Sequence, residues 1–281
     1  MNPQVALTIA GTDSGGAAGT AADLATFAAL GVHGACVITA VTAQDTTGVS
    51  DIHPVPHSSV EAQLDAVLDD LPIAAIKTGM LGTAAAVEEI ARRVVKLSVA
   101  YGSLSPSRLP LVVDPVLVAT SGAVLGGEEV RRAYLDHLLP VATVVTPNLD
   151  EARALAGQDG TPEELAVELA GLGPAVVVTG GDPAATGECT DWFAEPGEPP
   201  IPLRHPAIRT SNDHGTGCTY SSALAAHLAH GTPLRDAAER AAVYVTRQLA
   251  TSRHWTLGRG RGPIAHLSTN QPSPTSTKET A

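Results

Sequence analysis

A cysteine directly follows a Gly-Thr-Gly segment at the point where a helix is predicted to begin. Cys218 closes the stretch HGTGC, and residues 219–230 carry small and apolar side chains at helical spacing before a glycine and a proline end the pattern. The N–H groups at a helix N-terminus are unpaired and electropositive, and Gly215 and Gly217 let the backbone approach an anion closely. The sequence therefore predicts a phosphate-binding turn at Gly215, Thr216 and Gly217, whose field lowers the pKa of the Cys218 thiol. A buried structural cysteine beside a glycine turn is the alternative.

Three further polar side chains follow predicted buried strands. Asp114 comes after an apolar run and before a proline, so its carboxylate is expected at the end of a strand. Asn148 and Glu151 are three residues apart at a predicted helix start and can face the same side. The alternative for this pair is local, with Asn148 as the N-cap and Glu151 completing a capping box.

Apolar runs that alternate with amphipathic stretches indicate an α/β fold. Strands are predicted at 5–10, 36–41, 74–79, 111–114, 143–146 and 175–178. Helices are predicted at 18–30, 58–70, 83–96, 128–138, 148–156, 162–171, 217–230 and 234–250. This order is typical of βαβ units around a mostly parallel, buried sheet. Ligands bind such sheets outside the carboxyl ends of the strands, so the polar segments that follow these strands are expected to converge there.

Composition narrows the possible partners. The formal net charge is −12, and the chain has no basic stripe and few aromatic residues, which disfavours nucleic acid as a partner. Acidity does not exclude ATP, because helix N-termini and a metal ion can neutralise phosphate locally. No segment reaches the apolar length of a membrane span.

Cysteine usage and the two ends of the chain complete the picture. Cys36, Cys189 and Cys218 are far apart and form no CxxC pair, which favours a reducing, cytoplasmic location over a disulfide framework. The first residues have no basic region ahead of their short apolar run, which disfavours export. We expect one domain over residues 1–267, followed by a Pro/Ser/Thr-rich, disordered tail at 268–281.

Seven motifs occur in order along most of the chain. They are LTIAGTDSGGAAGTAADL, TAVTAQDTTGV, IKTGML, VVDPVLVATSG, VTPNLDEA, VVVTGGD and NDHGTGCTYSSALAA. With these motifs the chain resembles the hydroxymethylpyrimidine and hydroxymethylpyrimidine-phosphate kinases of thiamine biosynthesis, within the ribokinase-like superfamily. The resemblance implies a three-layer α/β/α fold, a homodimer, and transfer of the γ-phosphoryl group of ATP with Mg²⁺ as cofactor. The acceptors it implies are the small molecule 4-amino-5-hydroxymethyl-2-methylpyrimidine and its monophosphate.

The resemblance also implies roles for the residues at the catalytic end. Cys218 would accept the hydroxymethyl proton, and the N–H groups of 215–218 would bind charge on the transferring phosphoryl group. Residues implied to lie around ATP and its magnesium are Asp114, Asn148, Glu151, Thr179 and Gly181. Of these, Asp114 and Glu151 would hold the ion through water, which suits a hydrated hard cation.

The family resemblance also implies which residues form the acceptor pocket. Gln44 matches the family glutamine that reads the aminopyrimidine ring, since a carboxamide can pair with a ring nitrogen and the adjacent amine together. The other residues implied to line this pocket are Gly11, Asp13, Ala18 and Met80. The chain departs from the family at Thr179, where many members have Lys, and at Ala17, where a glycine is usual.

Two alternative functions are compatible with these residues. A pyridoxal-type kinase would use the same cysteine on another flat heterocycle that carries a hydroxymethyl group, although Gln44 favours the pyrimidine. A non-catalytic ligand-binding protein could keep the fold. The joint presence of Cys218, Asp114, Asn148 and Glu151 argues against that second alternative.

Overall fold

The computed structural model describes residues 2–102, 109–117, 127–180 and 187–267. The predicted tail at 268–281 and the ATP-site glycine Gly181 lie outside the described residues. The single domain over 1–267 therefore stays a prediction. Among the described helices, none combines the length and the apolarity needed to cross a membrane.

An eight-stranded sheet forms the centre of the molecule, and a separate sheet has two strands. The strands in chain order are β1 (Val5–Ala10), β2 (His33–Ile38), β3 (Ala40–Asp45), β4 (Gly48–Pro54), β5 (Ile73–Thr78), β6 (Leu111–Val113), β7 (Val144–Val145), β8 (Ala175–Val178), β9 (Glu188–Ala194) and β10 (Ile201–Pro206). The strand order of the central sheet is β10-β9-β8-β7-β6-β5-β1-β2, and β3 and β4 form the small sheet. Within the central sheet, β2, β1, β5, β6, β7 and β8 pair in parallel, each with the next, and β9 runs antiparallel to both β8 and β10. The predicted, mostly parallel sheet is confirmed.

Helices cover both faces of this sheet. They are α1 (Gly19–Ala29), α2 (His57–Leu68), α3 (Ala84–Gly102), α4 (Glu128–Ala133), α5 (Leu149–Ala156), α6 (Pro162–Ala170), α7 (Thr216–Ala229) and α8 (Leu234–Ser252). Side chains of α2 to α6 share one apolar cluster with the sheet, and those of α1, α7 and α8 share a second. Adjacent strand residues point to opposite clusters, as Val112 and Val113 do, because side chains alternate along a strand. The three-layer α/β/α arrangement follows from this alternation.

The sheet and α7 pack closely because α7 is built from small residues. Ala223, Ala225 and Ala226 are fully buried, and α7 contacts β1, β5, β6, α1 and α8. Short side chains let the helix lie near the central strands, so the first turn of α7 reaches the carboxyl ends of those strands. The helix start that carries Cys218 is therefore held against the central strands of the sheet.

The largest differences from the predicted elements concern strands with polar side chains. The run predicted as one strand at 36–41 divides at Thr39, and its second half becomes β3, which pairs antiparallel with β4 in a separate two-stranded sheet. Strands β4, β9 and β10 were not predicted from the sequence. Because β4 is largely exposed and Leu203 is the one buried residue of β10, neither has the apolar run on which the prediction relied.

Candidate active site

A cleft of about 810 Å³ opens at the carboxyl ends of the parallel strands. The polar residues that follow these strands converge there, as the α/β topology predicts. All the predicted site residues within the described part of the chain line this cleft: Gly11, Asp13, Ala18, Gln44, Met80, Asp114, Asn148, Glu151, Thr179, Gly215, Thr216, Gly217 and Cys218. Residues more than 200 positions apart in the sequence are therefore brought to one site.

The turn before α7 requires a glycine at position 215. Gly215 has a φ of 91° and acts as the N-cap of α7, with no side-chain cap. A Cβ atom there would lie 1.8 Å from the carbonyl oxygen of Ala17, so any other residue would displace the loop. Gly217 is exposed, and nothing lies within 4 Å of the position its Cβ would take. The first turn of α7 thus presents backbone N–H groups to the cleft, as an anion-binding turn requires.

Cys218 lies in this first turn and is partly buried. Burial raises its pKa to about 12; the ammonium of Lys77 opposes the rise, and the carboxylates of Asp114 and Asp23 support it. The prediction that the helix N-terminus lowers this pKa is wrong for the ligand-free protein. Loss of solvation and two nearby negative charges outweigh the field of the helix.

The Lys77 ammonium lies beneath the cleft and is completely buried. Lys77 Nζ lies 2.9 Å from each carboxylate oxygen of Asp23 and 3.8 Å from Asp114 Oδ2. The hydroxyls of Thr8 and Ser222 also donate to Asp23, each at 2.6 Å. Burial disfavours the ammonium form, but the Asp23 carboxylate raises the pKa of Lys77 above its ordinary value. Lys77, within the motif IKTGML, was not predicted as a functional residue; the signal for it in the sequence was a charged side chain in an apolar strand.

Asp114 and Glu151 form an acidic pair at the end of β6 and the start of α5. Glu151 accepts from the Asn148 N–H at 2.9 Å and its own N–H donates to Asn148 Oδ1 at 2.9 Å, so the predicted capping box is present. Burial raises the pKa of Glu151 to about 8, and the charge of Asp114 adds to the rise. Burial also raises the pKa of Asp114, against Lys77 and the Ser221 hydroxyl. Two carboxyl groups that repel each other's charge have the chemistry of a cation site.

Gln44 and Asp13 meet at His214 on the other side of the cleft. The Nε2 atoms of Gln44 and His214 are 3.2 Å apart, and His214 Nε2 lies 3.1 Å from Asp13 Oδ2. Asp13 also accepts from the N–H groups of Gly15 and Ala18. Burial raises the pKa of Asp13, but the contact with His214 and these two hydrogen bonds together hold that pKa below its ordinary value. Asp13 therefore fixes the glycine-rich loop, and His214, which the sequence analysis gave no role, links that loop to Gln44.

Met80 closes the pocket above the first strand. Its Cε atom lies 2.4 Å from where a Cβ of Gly11 would be, so Gly11 leaves room for the methionine. The Gly11 N–H donates to the Met80 carbonyl at 3.1 Å. Met80 therefore lines the cleft next to Gly11, and its part in binding an acceptor stays a prediction.

The far end of the cleft has a polar floor and an apolar side. Thr179 donates its N–H to the Pro147 carbonyl at 2.9 Å, and the Gly180 N–H donates to Asp191 Oδ1 at 3.0 Å. The apolar side is lined by Ile208, Ala242, Val245 and Leu249. Apolar side chains that line a cleft are suited to contact with a flat base.

Arg261 is a permanent cation in the lining of the cleft. Its Nε and Nη2 donate to the two carboxylate oxygens of Asp213 at 2.7 and 2.6 Å, two residues before the α7 turn. Arg259 lies two positions earlier and pairs with Asp45 on the β3–β4 hairpin, with its side chain 82% exposed. The loop that carries both arginines thus contacts the β3–β4 hairpin and the segment that precedes α7.

The fold and the cleft define a class of protein, the ribokinase-like kinases. The class combines a three-layer α/β/α fold with a glycine turn and helix N-terminus that face a cleft with an acidic pair. Within it, the chain belongs to the phosphomethylpyrimidine kinase family, whose model matches residues 13–265. It is therefore a kinase, and the family resemblance stated from the motifs is confirmed.

Individual relatives agree with this assignment. The chain is 45% identical to a hydroxymethylpyrimidine/phosphomethylpyrimidine kinase of Synechococcus elongatus, over 95% of this chain and 98% of that one. It is 43% identical to the protein of the same name from Rhizobium meliloti, over 94% and 97%. Among solved structures, the ADP complex of Bacillus subtilis pyridoxal kinase matches with a TM-score of 0.81 and 32% identity, over 94% and 98%. A phosphomethylpyrimidine kinase of Clostridium difficile matches with 0.71 and 33%, over 86% and 98%.

Proposed function

We propose that this protein transfers the γ-phosphoryl group of ATP to 4-amino-5-hydroxymethyl-2-methylpyrimidine and then to its monophosphate. The observation that carries the proposal is the position of Cys218. It lies in the first turn of α7, facing a cleft that holds Gln44 on one side and the Asp114–Glu151 pair on the other. An acceptor alcohol, an anion-binding turn and a proton acceptor can meet there, which is what phosphoryl transfer requires of a protein.

The transfer itself exchanges one P–O bond for another. The acceptor hydroxyl oxygen bonds to the γ-phosphorus as the bond from that phosphorus to the β–γ bridging oxygen breaks, and ADP leaves. The backbone N–H groups of residues 215–218 stabilise the charge on the transferring group. Burial raises the pKa of the Cys218 thiol to about 12, and the Lys77 ammonium opposes that rise. Cys218 first releases its own proton to solvent, and the buried charge of Lys77 supports the thiolate that forms. Cys218 Sγ then takes the hydroxyl proton as the alcohol oxygen attacks.

Mg²⁺ is the proposed cofactor, and the residues present fit it. Asp114 and Glu151 offer the oxygen ligands that a hard cation prefers. The pKa of Glu151 is raised, so a neighbouring positive charge would stabilise its carboxylate form. We propose that Asp114 and Glu151 hold the ion through water, with Asn148 beside them. Neutralisation of these carboxylates and of the phosphate oxygens is the chemistry that a bound Mg²⁺ supplies.

Recognition of the acceptor is proposed to begin at Gln44. Its carboxamide can accept from the exocyclic amine of the pyrimidine while it donates to the adjacent ring nitrogen. The monophosphate brings additional negative charge, and Arg261 is placed to meet it, because guanidinium has donors beyond the two that face Asp213. Thr179 and Gly181 are proposed to lie beside the phosphates of ATP.

A pyridoxal-type kinase is the second candidate. It is favoured by structural similarity to pyridoxal kinases, which reaches a TM-score of 0.81 at 32% identity. The deciding experiment incubates the purified protein with Mg-ATP and, separately, the pyrimidine alcohol, its monophosphate, pyridoxal and pyridoxamine, and identifies products by mass. We expect the pyrimidine mono- and diphosphates to form fastest. Faster conversion of pyridoxal would establish the second candidate instead.

Assembly and location complete the proposal. A homodimer is supported by exposed apolar side chains on the β3–β4 hairpin, where Val41 is 50% and Ile52 36% exposed. A cytoplasmic location is supported by three cysteines that form no disulfide. Sedimentation velocity at micromolar concentration tests the dimer, and a monomer there would contradict it.

A further inference from the structure

A cysteine, an aspartate and a histidine converge on one face of the β9–β10 hairpin. Cys189 and Asp191 are two residues apart on β9, so their side chains share a face of the sheet. His205 on β10 is the direct antiparallel partner of Cys189, so it lies on that same face. The strand register alone therefore brings a sulfur, an oxygen and a nitrogen donor together.

The spacing of these donors matches a metal coordination shell. The ligand atoms of Cys189, Asp191 and His205 all lie within 4.8 Å of one another, and His205 Nε2 is 3.2 Å from Asp191 Oδ2. Tetrahedral ligands bonded at about 2.0–2.3 Å to a zinc ion lie roughly 3.3–3.8 Å apart. The Asp191–His205 pair is close to that separation, and the Cys189 sulfur lies within 4.8 Å of both other ligand atoms.

Contacts outside the three donors orient two of them. The other oxygen of Asp191 accepts from the Gly180 N–H at 3.0 Å, which directs Oδ2 toward His205. His205 Nδ1 lies 3.3 Å from the Thr246 hydroxyl, which leaves Nε2 facing Asp191 and Cys189. Outer hydrogen bonds of this kind are what hold the ligands of metal sites in position.

We propose that Cys189, Asp191 and His205 form a binding site for one divalent transition-metal ion of the zinc type. The donor set selects this class, because thiolate and imidazole prefer Zn²⁺ or Co²⁺ to the hard Mg²⁺ ion. Binding forms metal–S, metal–N and metal–O bonds, and the protons held by the sulfur and by His205 Nε2 leave to solvent. The three residues line the cleft on the side of Gly180, so the remaining coordination position faces the cleft.

A simple ion pair between Asp191 and His205 is the competing explanation. Hydrogen bonds to Asp191 and Cys189 raise the pKa of His205 to about 10 although burial lowers it, so the pair is charged without metal. The contacts among the three residues fit either explanation. Replacing Cys189 separates the two explanations, because only a bound metal ion requires the sulfur as a ligand.

The test is a titration of metal-stripped protein with Co²⁺ in the presence of excess Mg²⁺, followed by near-ultraviolet absorption. A thiolate bound to Co²⁺ gives a charge-transfer band, which we expect to saturate at about one equivalent. Cys189→Ser should abolish the band and weaken binding at least about 10-fold, and His205→Gln should weaken it similarly. Cys218→Ser is the matched control, because it removes another thiol of the same cleft, and should leave the band intact.

Thermal unfolding gives an independent readout. Zn²⁺ should raise the midpoint temperature of unfolding of the wild-type protein and leave that of Cys189→Ser unchanged. The variant should keep the fold, because Cys189→Ser replaces only a sulfur atom by oxygen. Absence of a thiolate band with excess Co²⁺ overturns the proposal. A band that persists in Cys189→Ser and disappears in Cys218→Ser also overturns it, because the ion would then bind at the catalytic cysteine. Neither result bears on whether the protein phosphorylates the pyrimidine.

Discussion

The ammonium nitrogen of Lys77 lies 2.9 Å from both carboxylate oxygens of Asp23, and neither side chain is accessible to solvent. The pair lies between β5 and α1, directly below the cleft, and Asp114 is the next negative group at 3.8 Å. One buried positive charge therefore faces two buried carboxylates and the Cys218 thiol. Removal of that charge leaves negative groups without compensation in a dry environment.

Lys77→Met should consequently destabilise the protein by about 3–5 kcal/mol, the usual cost of breaking one side of a buried ion pair. Urea unfolding measures the change. Lys96→Met on the exposed side of α3 is the control and should stay within about 0.5 kcal/mol of wild type. The double variant Lys77→Met with Asp23→Leu should lose less than the sum of the two single changes. Equal stability of Lys77→Met and wild type would contradict the assigned role.

The Lys77–Asp23 pair also marks the limit of what the sequence could predict. The apolar runs around β1, β5 and β8 and the pattern of α7 were sufficient for the central sheet and its helices. Nothing local indicates that residues 23 and 77 meet, because they are brought together by the pairing of β1 with β5 and the packing of α1 and α7 on them. A long-range ion pair of this kind depends on topology, and so it was missed.

The same dependence on distant segments explains why the direction of the shift in the Cys218 pKa was predicted wrongly. The helix start and the glycine turn were correctly predicted from local residues, and both favour a thiolate. The opposing factors are burial and the carboxylates of Asp23 and Asp114, which come from distant segments. Strands β4 and β10 were missed for a different reason, since alternating polar side chains on a hairpin resemble a loop when only apolar runs are counted.

Gln44→Ala should weaken the use of the pyrimidine and leave the KM for ATP unchanged. The ring nitrogen and amine would lose their hydrogen-bond partner on binding, which costs about 1–3 kcal/mol. Steady-state kinetics with each substrate varied in turn measure the effect as kcat/KM. Gln158→Ala, which removes an exposed glutamine on another part of the surface, is the control. An unchanged kcat/KM for the pyrimidine would remove Gln44 from the recognition site.

Arg261→Gln should separate the two phosphorylation steps. Loss of a charge-assisted contact to the acceptor phosphate should lower kcat/KM for the monophosphate by about 10–100-fold and leave that for the alcohol near wild type. Arg261→Lys should recover part of the loss. Arg259→Gln is the matched control, because Arg259 pairs with Asp45 and points into solvent. An equal loss with both acceptors would show that Arg261 only stabilises the loop.

Glu151→Gln should raise the Mg²⁺ concentration that gives half of the maximal activity. The substitution replaces a carboxyl group that can ionise beside Mg²⁺ by a neutral amide but keeps a side-chain oxygen for the capping box with Asn148, so α5 should keep its start. Glu164→Gln makes the same change in the exposed capping box of α6 and serves as the control. Identical magnesium titrations for wild type and Glu151→Gln would count against the proposed cation site.

The pKa of Cys218 leads to an expectation about its reactivity in the free protein. A thiol whose pKa is raised to about 12 stays protonated near neutral pH, and only the thiolate reacts with alkylating agents. Alkylation by iodoacetamide, followed by mass spectrometry of the Cys218 peptide, should therefore be slower than that of a small-molecule thiol at pH 8. Its rate should keep rising with pH beyond 9. Rapid alkylation at pH 7 would show that the helix N-terminus prevails over burial after all.

Substitution of Cys218 then tests its part in the reaction. Cys218→Ala should fold normally, because alanine suits a helix start and little volume is lost, and turnover should fall by about 10²–10⁴-fold as for loss of a general base. Cys218→Asp should recover part of that rate, since a carboxylate at the same place can accept the hydroxyl proton. Single-turnover measurements at saturating pyrimidine and ATP separate this effect from binding. If Cys218→Ala keeps near-complete turnover under these conditions, the thiol only lines the pocket. Catalysis would then rest on the backbone N–H groups of residues 215–217.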